Sequence, residues 1–371
     1  MKLGTFMMPL HPDDRPVSET YQEDMEKIIF ADELGFAEAW VGQHFTASTE
    51  PIPSPLMFMA AALPQTKTIK LCTGVINLPC HHPATVAAEV AQFDHMSQGR
   101  MIFGVGPGSL ATDFQLFGNE DGWPRLRKTL ESIDFIKKIW AQDPPYNLAG
   151  EFWSINVDKN IVKALGTGFM PKPYTQPHPT IACSLMSPNP GLGKIAGENG
   201  WLPVSANFIP ISSVATHWVK YVEGCEAAGR TPDPSLWRVA RNILVARTDE
   251  EAREIAFDPK GGLMYTYNYL WKALSLAGLT AALKTDPAIP DDEMTVERLV
   301  DDLCVIGSPK TVAEKLISYQ EDITGPFGTL ILGLQDWGHN YAAEKNSMRL
   351  LAEEVCPILS RASKLKVEHE A

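Results

Sequence analysis

The sequence predicts a single (β/α)8 barrel, on three observations. Short β-type runs alternate with longer helical patterns about eight times, the order that produces a parallel sheet with crossover helices. The runs are apolar nearly throughout, as expected of strands covered on both faces. The length of 371 residues suits one barrel with insertions. A doubly wound open sheet is the main alternative.

The predicted elements follow one another along the whole chain. The first helix is predicted to start at Thr20, because Thr20 and Glu23 have the spacing of a capping box. Gly35 is predicted to end that helix. Predicted strands cover residues 2–7, 37–41, 69–76, 100–105, 180–184, 201–204, 237–246 and 329–334. Predicted helices cover 20–34, 55–63, 84–96, 124–140, 190–198, 213–228 and 309–321.

Two stretches interrupt the repeat within what we expect to be one domain, residues 1–371. Residues 142–178 are rich in Pro and Gly and predict a hairpin-like insertion before the fifth strand. Residues 257–300 combine an aromatic helical pattern with an acidic linker. The second stretch is either a packed barrel helix or a lid that walls off a substrate.

Composition excludes several classes of partner. The net charge of −13 argues against nucleic acid and anionic membranes, and no apolar run of about 18 residues predicts a membrane span. The start, MKLGTFMMPL, lacks the pattern of a signal peptide, so we expect a cytoplasmic protein. The six cysteines form no C-x-x-C pair, and we expect no metal site.

The stretch LCTGVINLPCHHPA, residues 71–84, carries the first functional signal. Gly74 interrupts a strand pattern, and a glycine there commonly marks close approach to the backbone. His44 and His82 follow predicted strands, each with a structural alternative: a core histidine for His44 and a helix cap for His82. The segment GVGPGS at 104–109 lacks the G-x-G-x-x-G spacing of dinucleotide-binding turns.

Residues 181–197 offer a candidate anion site. A strand runs into Ser187-Pro188 and then into a helix, whose free amides attract negative charge. Arg125 and Lys194 are candidates for the positive charge that an acidic chain must supply locally. An ordinary N-capped barrel helix is the alternative.

Several motifs together resemble the bacterial luciferase-like, flavin-dependent monooxygenases, and specifically their two-component FMN branch. The likeness extends over about residues 1–360. The motifs are MKLGTF at the start, LGFAEAWVGQHF at 34–45, the run from Leu71 to Gly108, DFQLFG at 113–118 and VIGSPKTVAEKL at 305–316.

This resemblance implies a monooxygenase that receives FMNH2 from a separate flavin reductase, reacts it with O2 to a C4a-peroxide, and oxygenates a hydrophobic small molecule. A terpenoid or alicyclic ketone is the expected substrate, and a homodimer the expected assembly. Two alternatives share the fold: an F420-dependent oxidoreductase and a non-catalytic luciferase-like subunit.

The resemblance also assigns site residues. His44 and Asp113 match catalytic positions, and Gly74-Val75 matches a cis peptide that lies against the flavin. Pro107 stands where luciferase-type members have a phosphate-binding arginine, so the phosphate is expected to depend more on helix amides and Arg125. The cofactor-binding residues implied are Phe6, Gly74, Val75, Asn77, His82, Gly106, Arg125, Met186 and Ser187.

Overall fold

The computed structural model describes residues 1–8, 10–118 and 124–362. Its strands are β1 (Lys2–Met7), β2 (Glu38–Val41), β3 (Lys70–Thr73), β4 (Ile76–Asn77), β5 (Met101–Gly106), β6 (Tyr146–Ala149), β7 (Ser154–Val157), β8 (Thr180–Leu185), β9 (Leu202–Ser205), β10 (Arg238–Val245), β11 (Cys304–Gly307) and β12 (Thr329–Gly333).

The α-helices follow the strands in the predicted alternation. They are α1 (Val17–Glu33), α2 (Pro55–Ala62), α3 (Pro83–Ser97), α4 (Ala111–Leu116), α5 (Pro124–Ala141), α6 (Gly191–Asn199), α7 (Ile211–Ala227), α8 (Asp249–Ala256), α9 (Gly262–Ala277), α10 (Val296–Leu303), α11 (Pro309–Ser318) and α12 (Tyr341–Leu350). Within the described ranges, no helix has the length and apolar character needed to cross a membrane.

The strands close into a barrel. Their order is β11-β10-β12-β1-β2-β3-β5-β8-β9, with β4 beside β5, and β10 also pairs with β9. The fold is therefore the predicted (β/α)8 barrel rather than an open doubly wound sheet.

The start of the first helix differs from the prediction. α1 begins at Val17, after Pro16, whose φ of −60° suits a helix entry and whose carbonyl accepts from the Glu19 and Thr20 amides. The Thr20 hydroxyl donates to the Val17 carbonyl inside the helix. The predicted capping box is therefore wrong, because the proline sets the helix start one turn earlier. The predicted end at Gly35 is confirmed by its φ of +78°.

The chain forms two compact units, a terminal unit (Met1–Ala39 with Cys183–Ala371) and a central unit (Trp40–Ala182). In the terminal unit, β1 runs parallel to β12 with Phe6 opposite Gly333. The first half of β10 pairs with β12 and its second half with β11. The strands are buried almost throughout, which explains their apolar sequences.

The central unit contains β3, β4 and β5 and, within residues 142–178, an antiparallel hairpin of β6 and β7. The loop of that hairpin is held by Glu131 on α5. Its carboxylate accepts from the amides of Glu151, Phe152 and Trp153 at 2.7–2.9 Å. One helix carboxylate thus satisfies three loop donors.

The core of the terminal unit contains buried charges. The Lys27 ammonium on α1 is fully buried and lies 2.7 Å from Glu23 Oε1 and 3.0 Å from Asp24 Oδ1. Burial opposes its charge, but the two carboxylates raise the pKa of Lys27. Lys27 is therefore a charged core residue held by two acids.

A histidine and an arginine extend this network. His11 lies 2.6 Å from Asp336 and 3.1 Å from Asp24, and Arg15 pairs with Asp336 and Glu23. Burial opposes protonation of His11, but its bonds to Asp24 and Asp336 raise its pKa. These cations neutralise the carboxylates, so we assign no metal to the neighbouring ligand atoms of His11, Glu23 and Asp336.

We expect Lys27→Met to lower the free energy of unfolding by about 3–5 kcal/mol, because it removes the fully buried cation of Glu23 and Asp24 and leaves them only their contacts with Arg15 and His11. Lys310→Met is the matched control, since Lys310 is 82% exposed and 3.8 Å from Glu314, and such surface pairs contribute little. Urea unfolding of both variants measures the difference. Equal losses would show that the buried ion network does not stabilise the terminal unit.

Candidate active site

A buried carboxylate holds the segment that follows β2. Asp113, on α4, is 1% exposed, and its Oδ2 lies 2.9 Å from His44 Nδ1. Its Oδ1 accepts from the amides of Phe45 (3.1 Å) and Thr46 (2.9 Å) and from the Thr46 hydroxyl (2.6 Å). The two predicted catalytic residues are therefore in contact, and Asp113 fixes both the imidazole and its backbone.

A second carboxylate faces the other side of the imidazole. Glu50 Oε2 lies 3.4 Å from His44 Nε2, and Glu50 is 8% exposed. Burial raises the pKa of Glu50 to about 7, with a further increase from Asp113 and an opposing effect of His44. Sequence reasoning missed Glu50, because it lies in a loop without periodicity, six residues after His44.

The strand predicted at 69–76 is interrupted. It splits into β3 and β4 around the Gly74–Val75 peptide bond, which is cis, as the resemblance implies. The Gly74 amide donates to the Val41 carbonyl at the end of β2 (2.7 Å). Gly74 and Val75 are half-exposed, whereas Leu71–Thr73 and Ile76–Cys80 are buried. The interruption leaves Gly74 and Val75 more accessible than the strand residues on either side.

Close backbone packing accompanies the interruption. A Cβ on Gly104 of β5 would lie 1.8 Å from the Thr73 carbonyl oxygen, so only glycine fits there. The Thr73 hydroxyl donates to the Gly104 carbonyl (2.7 Å). Gly104 thus lets β3 and β5 approach each other closely at Thr73, the residue before Gly74.

Asn77 and Gly106 lie opposite each other on β4 and β5. Both are buried. The Asn77 amide donates to Gln43 Oε1 (2.9 Å), and its side-chain nitrogen donates to the Gln43 carbonyl (3.1 Å). His81 Nε2 also lies 3.1 Å from Gln43 Oε1. The Asn77 side chain therefore anchors the residue preceding His44.

His82 is the N-cap of α3. Its Nδ1 accepts from the Ala84 amide (3.2 Å), so Nε2 carries the proton of the neutral ring. The ring meets Trp153 edge-on, with centroids 5.1 Å apart. The capping alternative for His82 is therefore observed.

Two cations lie one turn apart at the start of α5. The Arg125 guanidinium lies 4.0 Å from the centroid of the Phe114 ring, and the Lys128 ammonium 4.6 Å from that of Trp153. Burial lowers the pKa of both groups. Sequence reasoning selected Arg125 and missed Lys128, because an i, i+3 pair of cations on a helix is usually a solvated face.

The predicted anion-binding turn lies in the terminal unit, where Met186 and Ser187 are exposed after β8. His217 Nε2 donates to the Ser187 carbonyl (3.0 Å), and its Nδ1 accepts from the Ser205 hydroxyl (2.9 Å). Burial lowers the pKa of His217 to about 4, so a neutral histidine holds this turn. α6 begins at Gly191 without a side-chain cap, and the anion-binding role of this turn stays a prediction.

The other predicted positions of the terminal unit have different surroundings. Phe6 is half-buried on β1, and its carbonyl accepts from the Leu334 amide (2.9 Å).

On α9, Tyr267 is fully buried, and its hydroxyl accepts from Asn242 Nδ2 (2.9 Å). Leu276 near the end of the same helix is 92% exposed. The first turns of α9 are thus a packed barrel helix.

Comparison with known proteins identifies the class. The chain is 34% identical over 359 residues to limonene 1,2-monooxygenase of Rhodococcus erythropolis, covering 95% of this chain and 85% of that protein. It also resembles the structure of the oxygenating constituent of 3,6-diketocamphane monooxygenase from Pseudomonas putida, a type II Baeyer–Villiger enzyme in complex with FMN (TM-score 0.86, 28% identity, 96% and 98% coverage). The protein is a flavin-dependent monooxygenase.

The family follows from a wider match. The family model described as luciferase-like monooxygenase matches residues 1–324, and the chain belongs to this family. The chain also has a shorter similarity to F420-dependent glucose-6-phosphate dehydrogenase of Amycolatopsis mediterranei. The two are 28% identical over 241 residues, and the match covers 62% of this chain and 67% of that protein.

We expect Asp113→Asn to lower the free energy of unfolding by about 1.5–3 kcal/mol, the contribution of a hydrogen bond to a charged group. The side chain of Asn has one accepting oxygen and an NH2 group that cannot accept, so the hydrogen bonds from either His44 or Thr46 are lost. Asp134→Asn is the control, since Asp134 is 53% exposed. Urea unfolding distinguishes them; equal stability of both variants would contradict a structural role of the Asp113 carboxylate.

Proposed function

We propose that this chain is the oxygenase of a two-component system, which uses FMNH2 and O2 to oxygenate a hydrophobic small molecule. The observation that carries the proposal is the half-exposed Gly74–Val75 backbone, hydrogen-bonded to the end of β2 three residues before His44. A partly exposed segment with a glycine, joined by a hydrogen bond to the strand that leads to a histidine held by a carboxylate, suits a flat ring whose reacting edge needs a proton donor or acceptor.

The residues of the central unit fit FMN. Gly74, Val75 and Gly106 would lie against the ring, with Asn77 holding the segment before His44. Arg125 and Lys128 would bind the phosphate, because both are cations already positioned over aromatic rings. From the resemblance we further propose that His82, Phe6, Met186 and Ser187 contact the cofactor.

When bound, reduced FMN supplies the activation of O2. The chain then has to orient the cofactor, exclude water and control a proton at His44 Nε2, whose ring is fixed through Nδ1 by Asp113. His44 and Asp113 are therefore the proposed catalytic pair, with His44 acting directly and Asp113 holding its tautomer.

The partners and substrate are proposed from relatives. The names of the limonene and diketocamphane enzymes above specify a terpene and a diketocamphane, so we propose a hydrophobic cyclic terpenoid or alicyclic ketone. The diketocamphane enzyme is described as an oxygenating constituent, which supports a separate reductase that supplies FMNH2. We also propose a homodimer in the cytoplasm.

The cofactor test compares FMN with F420. We expect FMN at 100 times its dissociation constant to stabilise the protein by about 2.7 kcal/mol in thermal unfolding, and F420 not to. Rapid mixing of the FMNH2 complex with O2 should then give a transient absorbance that differs from reduced and oxidised FMN. Stabilisation by F420 alone, or oxidation at the rate of free FMNH2, would contradict the proposal.

The phosphate assignment makes a separate prediction. We expect Arg125→Gln and Lys128→Gln each to weaken FMN binding at least about tenfold, the effect of losing one charge-assisted hydrogen bond, and to change riboflavin binding little, because riboflavin lacks the phosphate. Arg127→Gln is the matched control on the same helix, since Arg127 is 54% exposed and pairs with Glu151. Fluorescence titration measures all three, and equal losses for FMN and riboflavin would refute phosphate binding.

A further inference from the structure

The imidazole of His44 lies between two buried carboxylates that belong to different segments. Asp113 Oδ2 is 2.9 Å from Nδ1, and Glu50 Oε2 is 3.4 Å from Nε2. Both acids and the histidine are less than one-tenth exposed. In the part of the chain that the structure describes, His44 and Asp113 are the charged groups that act on Glu50.

The contact with Asp113 determines where the mobile proton of His44 resides. Asp113 Oδ1 is occupied by three donors from Phe45 and Thr46, so Oδ2 is the acceptor left for Nδ1–H. In the neutral ring, Nε2 then presents a lone pair to Glu50. These two atoms are 3.4 Å apart, so a proton passes between them when they approach to hydrogen-bonding distance.

The backbone holds Glu50 in this place. The Glu50 amide donates to the Ala47 carbonyl, and the Glu50 carbonyl accepts from the Ile52 amide (2.9 Å). The Ile52 carbonyl in turn accepts from the His44 amide (3.2 Å). The loop therefore returns to His44, and the Glu50 side chain lies beside the imidazole.

We propose that Glu50 is a positioning residue that stores the proton exchanged by His44 during the proposed oxygenation. The O–H bond of Glu50 breaks as the Nε2–H bond of His44 forms, giving a carboxylate and an imidazolium between two acids; the reverse transfer restores the neutral pair. No other reactant is consumed. Burial, which raises the pKa of Glu50 to about 7, keeps this acid near the pH at which a stored proton is exchangeable.

This inference rests on the proposed function only for its catalytic consequence, so its first test uses the protein without cofactor. The protein is labelled with 15N-histidine, and the ring nitrogens of His44, assigned with His44→Gln, are followed by NMR from pH 5 to 9. We expect the chemical shift of Nε2 to report the ionisation of Glu50, whose pKa burial raises to about 7, and this change to be lost in Glu50→Gln. Glu89→Gln is the matched control, because Glu89 is an exposed acid of the same unit whose pKa burial also raises.

The outcomes separate the two proposals. A pH-dependent Nε2 chemical shift that is unchanged in Glu50→Gln, or that is absent in the unaltered protein, overturns the role of Glu50. Should Glu50→Gln not fold, Glu50→Asp serves instead, and we expect it to move the pH at which the Nε2 chemical shift changes rather than remove that change. A protein that shows the coupling but binds no FMN would refute the proposed function and leave the proton pair intact.

The loaded enzyme provides the second readout. With FMNH2 and limonene as the probe, Glu50→Gln is expected to lower the ratio of oxygenated product to hydrogen peroxide at least about tenfold and to flatten its dependence on pH around 7. Glu89→Gln should match the unaltered protein. A ratio in Glu50→Gln that is lower by the same factor at every pH would indicate a structural role and refute proton storage.

Discussion

The candidate site depends on the buried carboxylate of Asp113. A segment that leaves a strand has amides without sheet partners, and a buried acceptor that takes them fixes its path. Asp113 does this for Phe45 and Thr46 with one oxygen and orients His44 with the other. Backbone path, ring orientation and tautomer are therefore set together, and the remaining ring nitrogen is directed towards Glu50.

Two glycines serve this site for different physical reasons. Gly104 is required by the protein itself, because any side chain would collide with the Thr73 carbonyl. Gly74 has a half-exposed position beside buried neighbours, so a larger residue would cover backbone that is otherwise open. The first glycine lets β3 and β5 approach each other, and the second keeps a side chain away from the position proposed to face the flavin.

The parts of the structure that were predictable from sequence are those fixed by local pattern. Apolar runs and helical periodicity place the barrel strands, and Gly35 ends α1 because its conformation is local. Capping at Thr20 was wrong because Pro16 competes for the same helix start. Glu50 and Lys128 could not be found, since the first depends on a loop that folds back to His44 and the second on an aromatic ring 25 residues further along the chain.

If an acidic chain is to bind the proposed anionic cofactor, it needs positive charge at the site itself. At physiological salt, charges more than about 8 Å away are largely screened, so the net charge of −13 has less influence than the groups at the site. Arg125 and Lys128 hold their positive charge over aromatic faces, where burial lowers their pKa. A phosphate would relieve that burial penalty, because an adjacent anion favours the charged form of both cations. On the proposed assignment, the same groups would favour a phosphorylated flavin over its neutral counterpart, whatever the sign of the field around the whole chain.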